Sequence, residues 1–365
     1  MRSIRWTAVC FLFLAAQLSF AQDDAEPKVR GRTASDWISI LRSAKEPNQR
    51  RAAIVALSIL GPKQLDVVPS LSTAVSDPDE QVRVAAIQSL SGMAQDARGA
   101  VDALGRASTD DKAPAVRAAA CKALGKLGPI AQAAVPRLLK ALTDPDPRTR
   151  AGAAVAMAEV KVEPAVAVEP LTKLLADADR LVRAEAASAL GRLDSAGKSA
   201  LKLGKCVQSD REPEVRRVAA QALLQLGSNV AAAYPPLLEA VAKEKSADIR
   251  QRILAILAVI DSEAKNTGPV FVLAAKDADA RCRVMAIRGL GRQNARFEGA
   301  LPTLIDALKD DVIDVRLAAT QELAESGAPP AKILPALKAT AKGDARSVVR
   351  DAAAQAVKKL EAGTP

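Results

Sequence analysis

The sequence predicts an all-α solenoid, and three observations support this prediction. Apolar residues recur at i, i+3, i+4 and i+7, the spacing of one face of an α-helix. Alanine and leucine dominate the apolar residues while aromatic residues make up only 2%, a composition that suits closely packed helices better than sheets. A short motif built around an arginine returns every 33 or 34 residues, as expected of stacked helical hairpins.

The arginine of this motif is the clearest marker of the repeat. It usually follows an apolar residue, and Leu, Met or Val stands seven positions after it. The even spacing predicts about ten hairpins, each burying its apolar face against the next. The ten arginines are Arg50, Arg83, Arg117, Arg150, Arg183, Arg216, Arg250, Arg283, Arg316 and Arg350.

An acidic residue precedes the arginine by six positions in nine of the ten repeats. Aspartate in such a position, often as Asp-Pro-Asp or Asp-Ala-Asp, is typical of a turn, here the turn between the two helices of a hairpin. The nine acids are Asp77, Asp111, Asp144, Asp177, Asp210, Glu244, Asp277, Asp310 and Asp344.

Proline and glycine mark the ends of the predicted helices. Proline about fourteen positions before the arginine is predicted in the first turn of the first helix, where its missing N–H costs nothing. Glycine eleven positions after the arginine is predicted to end the second helix in a left-handed conformation. The prolines are Pro69, Pro136, Pro170, Pro236, Pro269, Pro302 and Pro335, and the glycines are Gly61, Gly128, Gly227 and Gly327.

The recurring arginine and acid are predicted to form a structural ladder. The planar guanidinium can bond a carboxylate and loop carbonyls of neighbouring repeats at once. A column of arginines can also bind an anionic ligand, but an arginine in every repeat, matched by an acid in nearly every one, favours an internal ladder.

Composition also restricts the chemistry that is open to the chain. Histidine is absent, which excludes Ser-His-Asp and Cys-His catalysis and the commonest metal ligand. Cys121, Cys206 and Cys282 fall in different repeats and are interpreted as small buried residues, not as disulfide partners or metal ligands. The sequence therefore predicts no catalytic residue, no metal and no cofactor.

The N-terminus has the pattern of a signal peptide. Arg2 and Arg5 precede the apolar run Trp6–Leu18, and Ser19 and Ala21 are the small residues of a predicted cleavage site after Ala21. An uncleaved anchor is the alternative, although the run is shorter than the ~20 residues of a spanning helix. We therefore expect export to the periplasm or the extracellular space, with no membrane span in the mature chain.

The predicted mature chain has one domain. Thr33 or Ser35 can cap the first helix, and Trp37 with Leu41 can cover the open end of the core. The predicted segments are a signal peptide over 1–21, a disordered leader over 22–32, a single repeat array over 33–361 and a tail over 362–365.

The turn and second helix resemble the HEAT-like repeats of the phycobilisome-lyase type, with the pattern Asp-x-Asp-x-x-Val-Arg-x-x-Ala-x-x-x-Leu-Gly. Asp177 and Asp179 with Val182-Arg183 through Leu190-Gly191 match it, and the resemblance covers about residues 33 to 361. The predicted fold is thus an α-solenoid of about ten HEAT-like hairpins in a right-handed superhelix. The resemblance implies bilin lyase or isomerase activity as one alternative, but the signal peptide disfavours that cytoplasmic chemistry.

The second helices of the hairpins are predicted to line the concave face. Positions 2, 5 and 9 after the arginine should point outward there, and several carry basic residues that suit an acidic partner. An ordinary solvated face is the alternative interpretation. The candidate binding residues are Lys122, Lys126, Arg192, Arg252, Arg288 and Arg292.

The most consistent function is a monomeric, non-catalytic scaffold that binds a protein, possibly an acidic one, outside the cytoplasm. A pI near 9.5 also suits a nucleic-acid or polyanion-binding module. Three observations argue against nucleic acid. Export is predicted, few aromatic side chains can stack on nucleobases, and acidic residues are interspersed among the basic ones.

Overall fold

The computed structural model describes residues 26–64, 66–260, 267–292 and 299–362. Within these ranges the chain forms twenty α-helices in ten consecutive hairpins, and its only strand-like pairing is one isolated bridge. The predicted all-α solenoid is confirmed. The predicted signal peptide and Cys10 lie outside the described residues, and so do the last three residues of the predicted tail.

We call the first helix of each hairpin A and the second B. The A helices are α1 (Ala34–Ser43), α3 (Val67–Ala74), α5 (Val101–Asp110), α7 (Val135–Ala141), α9 (Pro164–Leu174), α11 (Ala200–Ser209), α13 (Tyr234–Lys243), α15 (Gly268–Ala274), α17 (Ala300–Ala307) and α19 (Pro330–Gly343). The B helices are α2 (Pro47–Leu60), α4 (Glu80–Gly92), α6 (Pro114–Leu127), α8 (Pro147–Val160), α10 (Arg180–Leu193), α12 (Pro213–Gln225), α14 (Ala247–Ile260), α16 (Ala280–Arg292), α18 (Ile313–Glu325) and α20 (Ser347–Ala362).

The proline column lies in the first turn of five A helices, as predicted. For Pro170 and Pro335 the prediction is wrong, because both lie inside their helices. α9 already begins at Pro164 and α19 at Pro330. Ahead of α5, α7 and α13 the corresponding residues form 3₁₀ turns instead. α9 and α19 are therefore extended at their N-terminal ends compared with the other A helices.

Each glycine of the column follows a B helix with a positive φ, as predicted, but the ψ values of Gly61 and Gly128, 169° and −141°, lie outside the left-handed helical region. Gly61, Gly128, Gly227 and Gly327 have φ values of 87°, 64°, 62° and 64°. A positive φ costs glycine nothing because it has no Cβ. Each glycine therefore lets the chain reverse into the next A helix.

The core is one continuous layer of apolar side chains that runs from the first hairpin to the last. Alanine three positions after the column arginine is buried against the neighbouring hairpin, as at Ala86, Ala186 and Ala286. B helices of adjacent hairpins contact each other more extensively than the A helices do. The B helices therefore form the more closely packed side of the array, which we call the B face.

The start of the array differs from the prediction in one respect. Residues 22–32 were expected to be a disordered leader, yet Val29 and Arg32 pair in an antiparallel bridge. The Trp37 indole N–H donates to the Val29 carbonyl at 3.1 Å, and the Arg32 guanidinium lies 5.1 Å from the ring centroid. Thr33 caps α1 as predicted, in a capping box with Asp36. Residues 29–32 thus belong to the end of the array.

Candidate functional site

The column arginines bind the acids of the following hairpin. Nε and Nη2 of Arg183 donate to Oδ2 and Oδ1 of Asp210 at 2.7 and 2.9 Å. The same two-bond geometry recurs along the array, and we call these contacts the ladder. Its pairs are Arg50–Asp77, Arg83–Asp111, Arg117–Asp144, Arg150–Asp177, Arg183–Asp210, Arg216–Glu244, Arg250–Asp277, Arg283–Asp310 and Arg316–Asp344.

Each arginine also bonds the turn of its own hairpin. Nη1 of Arg183 donates to the carbonyls of Asp177 and Ala178 at 2.9 and 3.1 Å. The acid in turn accepts the backbone N–H two residues on, as Asp210 does from Glu212 at 3.0 Å. Each guanidinium from Arg50 to Arg316 therefore bonds two successive inter-helix turns, and every turn after the first is bonded by two arginines.

The ladder is largely shielded from water. Side-chain exposure within its pairs runs from 3% to 18%, and Arg183 and Asp210 are each 7% exposed. The hydrogen bond from Arg250 lowers the pKa of Asp277, and the hydrogen bond from Arg316 lowers the pKa of Asp344. Burial opposes this effect, and the arginine bond outweighs burial at both sites.

The two ends of the ladder explain its single missing acid. In the first hairpin the acid position holds Ala44, where no preceding arginine exists to neutralise a carboxylate. At the other end no described hairpin follows Arg350, and among the described residues it keeps only the bond from Nη1 to the Asp344 carbonyl at 2.7 Å. In a ladder where each arginine binds the acid of the next hairpin, the first hairpin needs no acid and the last arginine lacks a carboxylate partner.

Lowered carboxyl pKa values make stability sensitive to acid. The pKa values of Asp277 and Asp344 are lower in the folded state than in the unfolded state. The stabilisation that these carboxylates contribute is therefore complete above the unfolded-state pKa and is lost as the pH falls through the folded-state pKa. Burial raises the pKa of Glu185, which works in the opposite sense. We expect the melting temperature to be flat or slightly rising from pH 7 to 5 and to fall steeply below about pH 4. A steep fall between pH 7 and 5 in thermal melts would contradict this.

The six basic residues predicted on the B helices do not form one basic patch. Arg192 pairs with Glu159 of the preceding B helix at 2.6 Å. Arg252 pairs with Asp248 at 3.1 Å and also donates to the Gln221 side chain of the preceding hairpin. Two of the six charges are therefore neutralised within the surface itself.

The other four form no ion pair with a described residue, but they lie far apart along the array. Lys122 and Lys126 are exposed on α6, and Arg288 and Arg292 are exposed on α16. Four hairpins separate the two pairs. The structure thus places two small basic areas on the B face in place of the continuous basic groove that was predicted.

A groove that the sequence analysis missed lies on the opposite side of the array. It has a volume of about 1160 Å³ and lies between α9 and α11. Its floor includes Val168, Leu175 and Cys206, and Lys198, Lys202 and Lys205 stand along the α11 side. Lys202 and Lys205 are three residues apart on α11, which is the spacing of one helical face and was the available signal. Lys198 stands in the turn before that helix.

The three described cysteines behave as predicted small core residues. Cys121, Cys206 and Cys282 are free and buried, and burial raises the pKa of Cys121 to about 12 and those of the other two to about 11. Within the described ranges no cluster of three or more metal-ligating side chains occurs, and no helix there is long and apolar enough to cross a membrane.

Comparison with known proteins identifies the repeat. The sequence profile of HEAT repeats matches residues 34–125, 67–158, 101–191, 168–258 and 268–358, which together span most of the chain. The chain belongs to the HEAT-repeat family. No curated protein matches it in sequence.

Solved HEAT solenoids share the fold at low sequence identity. An importin-β structure superposes with a TM-score of 0.62 at 14% identity, over 90% of this chain and 52% of that one. Yeast importin-β (Kap95p) gives 0.55 at 14% identity, over 90% and 50%. The E. coli protein YibA gives 0.53 at 19% identity, over 78% and 98%. The chain thus spans about half the length of the importin-β chains.

A phycocyanin lyase structure also matches part of this HEAT-repeat protein. In the CpcE–CpcF complex from a Nostoc species, 28% identity extends over 43% of this chain and 96% of that one. The TM-score is 0.35, too low to support an argument about fold or activity.

Proposed function

We propose that this HEAT-repeat protein is a non-catalytic scaffold that binds a protein partner on its B-helix face. One observation carries the proposal. The side chain nine positions after the column arginine, or the glycine there, is exposed in all ten hairpins, so the B helices present one uninterrupted column. The ladder holds the turns at one edge of this column and fixes the spacing of its members.

The dimensions and chemistry of the column suit a macromolecule. Ten helices at interaxial distances of 8–10 Å extend over roughly 80 Å, far more than a small ligand spans. Ile59 and Val259 are 68% and 46% exposed, and charged residues occupy most of the positions between them. Apolar anchors combined with polar and charged positions are typical of protein interfaces. The Kap95:Nup1 complex is a solved example of a HEAT solenoid with a protein partner.

We also propose that the scaffold acts outside the cytoplasm as a monomer, with a partner that carries acidic groups. The basic, apolar and small-residue pattern of residues 1–21 supports export. Lys122 and Lys126 support an acidic partner, since both are exposed and neither forms an ion pair with a described residue. Arg288 and Arg292 are also exposed, but Glu322 interacts electrostatically with both of them.

Cross-linked affinity capture from the native organism tests the proposal, with tagged residues 22–365 as bait. A test bait carries Lys122→Glu, Lys126→Glu, Arg288→Glu and Arg292→Glu. A control bait carries Lys276→Glu, Lys309→Glu, Lys332→Glu and Lys342→Glu, the same charge change on exposed residues of the A-helix side.

We expect a partner that the wild-type and control baits retain and the test bait loses, and that binds the purified wild-type protein directly. Mass spectrometry of the native protein in the same extract should find Gln22 as its first residue. A partner lost from both variants, or from neither, would contradict binding at the B face. Failure to capture any protein would contradict the scaffold itself.

A further inference from the structure

The groove lies between two neighbouring A helices that make little contact with each other. α5 contacts α7 and α11 contacts α13 extensively, whereas α9 has no comparable contact with α11. Contact is equally sparse between α7 and α9, α13 and α15, and α17 and α19, so loose packing of A helices alone does not mark this groove. The side chains that line the groove distinguish it from the other gaps.

The charge of the groove is unbalanced. Its lining contains six basic and three acidic residues. Two of the acids pair within the lining, Asp210 with Arg183 and Glu169 with Lys173, and the third, Asp177, pairs with Arg150 of the ladder. Lys198, Lys202 and Lys205 remain exposed, and none forms an ion pair with a described residue. The groove thus has a positive rim.

The floor of the groove is apolar. Val168, Leu175 and Cys206 are buried within it, and Ala165 and Ala176 are exposed along the α9 side. Arg211 Nη2 donates to the Ala178 carbonyl at 3.0 Å. A ligand that fills the groove must therefore offer an apolar side to the floor and acidic groups to the lysines.

We propose that this groove is a second docking surface, which takes a short, acidic amphipathic helix from a partner protein. A helix about 10 Å wide with a rise of 1.5 Å per residue occupies roughly 120 Å³ per residue, so the volume holds about ten residues. Ten residues extend about 15 Å, close to the length of α9. The occupant lies between α9 and α11 and contacts both helices.

Fluorescence anisotropy with the purified mature chain and a designed twelve-residue peptide tests this proposal. The peptide carries leucines on one helical face and glutamates on the rest. A scrambled peptide of the same composition lacks the apolar face, and a third peptide has lysine in place of glutamate. Vesicles of anionic phosphatidylglycerol test an acidic lipid surface as the alternative occupant.

The variant Lys202→Glu/Lys205→Glu reverses the rim, and Lys332→Glu/Lys342→Glu makes the same charge change on exposed residues of α19, outside the groove. We expect the rim variant to weaken peptide binding at least tenfold and the α19 variant to change it less than twofold. Because the groove and the B face are on opposite sides, this experiment can fail while the proposed function stands, and the reverse also holds.

A second pair of variants tests the floor without changing charge. Ala165→Trp fills the groove, and Ala331→Trp places the same ring at the equivalent second residue of α19, where the residue is also exposed. We expect only Ala165→Trp to abolish binding, with unchanged circular dichroism spectra for both. The proposal would be overturned if the protein bound the scrambled peptide as tightly as the designed one, or if a variant and its matched control lost the same peptide affinity. Tighter binding to the vesicles than to the designed peptide would also overturn it.

Discussion

Replacing Arg183 with leucine is expected to lower the free energy of unfolding by about 3–5 kcal/mol. The pair that Arg183 forms with Asp210 is 7% exposed on each side. Removal of the guanidinium leaves a buried carboxylate without its counterion and leaves the Asp177 carbonyl without its donor. The Ala178 carbonyl loses one of its two donors and keeps the bond from Arg211. The cost is therefore that of an uncompensated buried charge together with lost hydrogen bonds.

The matched control is Arg192→Leu. Arg192 also bonds an acid of a neighbouring hairpin at short distance, but the pair is 41% and 44% exposed. Exposed ion pairs contribute at most about 1 kcal/mol because water and salt screen them. Urea denaturation, followed by far-ultraviolet circular dichroism, measures the free energy of unfolding of both variants. Equal losses for the two variants would show that burial of the ladder adds nothing.

Gly197→Ala is expected to cost about 2–5 kcal/mol, more than a left-handed conformation alone explains. Gly197 has a φ of +70°, and an added Cβ would lie 1.8 Å from the Asn229 carbonyl oxygen. That oxygen belongs to the backbone of the next hairpin, in a loop that Asn229 also ties to the Ser195 carbonyl at 2.8 Å. Relief of the overlap requires the two loops to separate.

Gly227→Ala isolates the contribution of backbone strain. Gly227 has a φ of +62°, and nothing lies within 4 Å of an added Cβ. We expect a loss of about 1–2 kcal/mol there. The difference between the two variants in urea unfolding measures the close approach of the loops after hairpins five and six. Equal losses would mean that the loops do not approach as closely as described.

The fold was predictable because its determinants repeat. The spacing of the column arginines places every hairpin, and an internal ladder follows from the arginine and acid columns alone. The direction of pairing did not follow, since eight of the ten arginines have an acid both six residues before them and 27 or 28 residues after them. The structure selects the later acid, and Ala44 in the first hairpin is the sequence signal for that choice.

The surface was less predictable because it depends on distances between hairpins. Glu159 and Arg192 occupy the same position in adjacent repeats, but only the lateral packing of α8 and α10 shows that they pair. The groove lies beside α9, one of the two A helices that begin earlier than the proline column predicts. Pro170 lies inside α9, but its distance in sequence from the column arginine is close to that of the prolines that lie in a first turn, so the sequence does not distinguish the two cases.

The most direct test of the ladder is a double-mutant cycle with Arg183→Leu, Asp210→Leu and the double variant. The account predicts a coupling energy of about 2 kcal/mol, because leucine at both positions removes the unpaired charge that each single variant leaves. Additive losses, with no coupling between the two positions, would contradict the claim that these pairs hold neighbouring hairpins together.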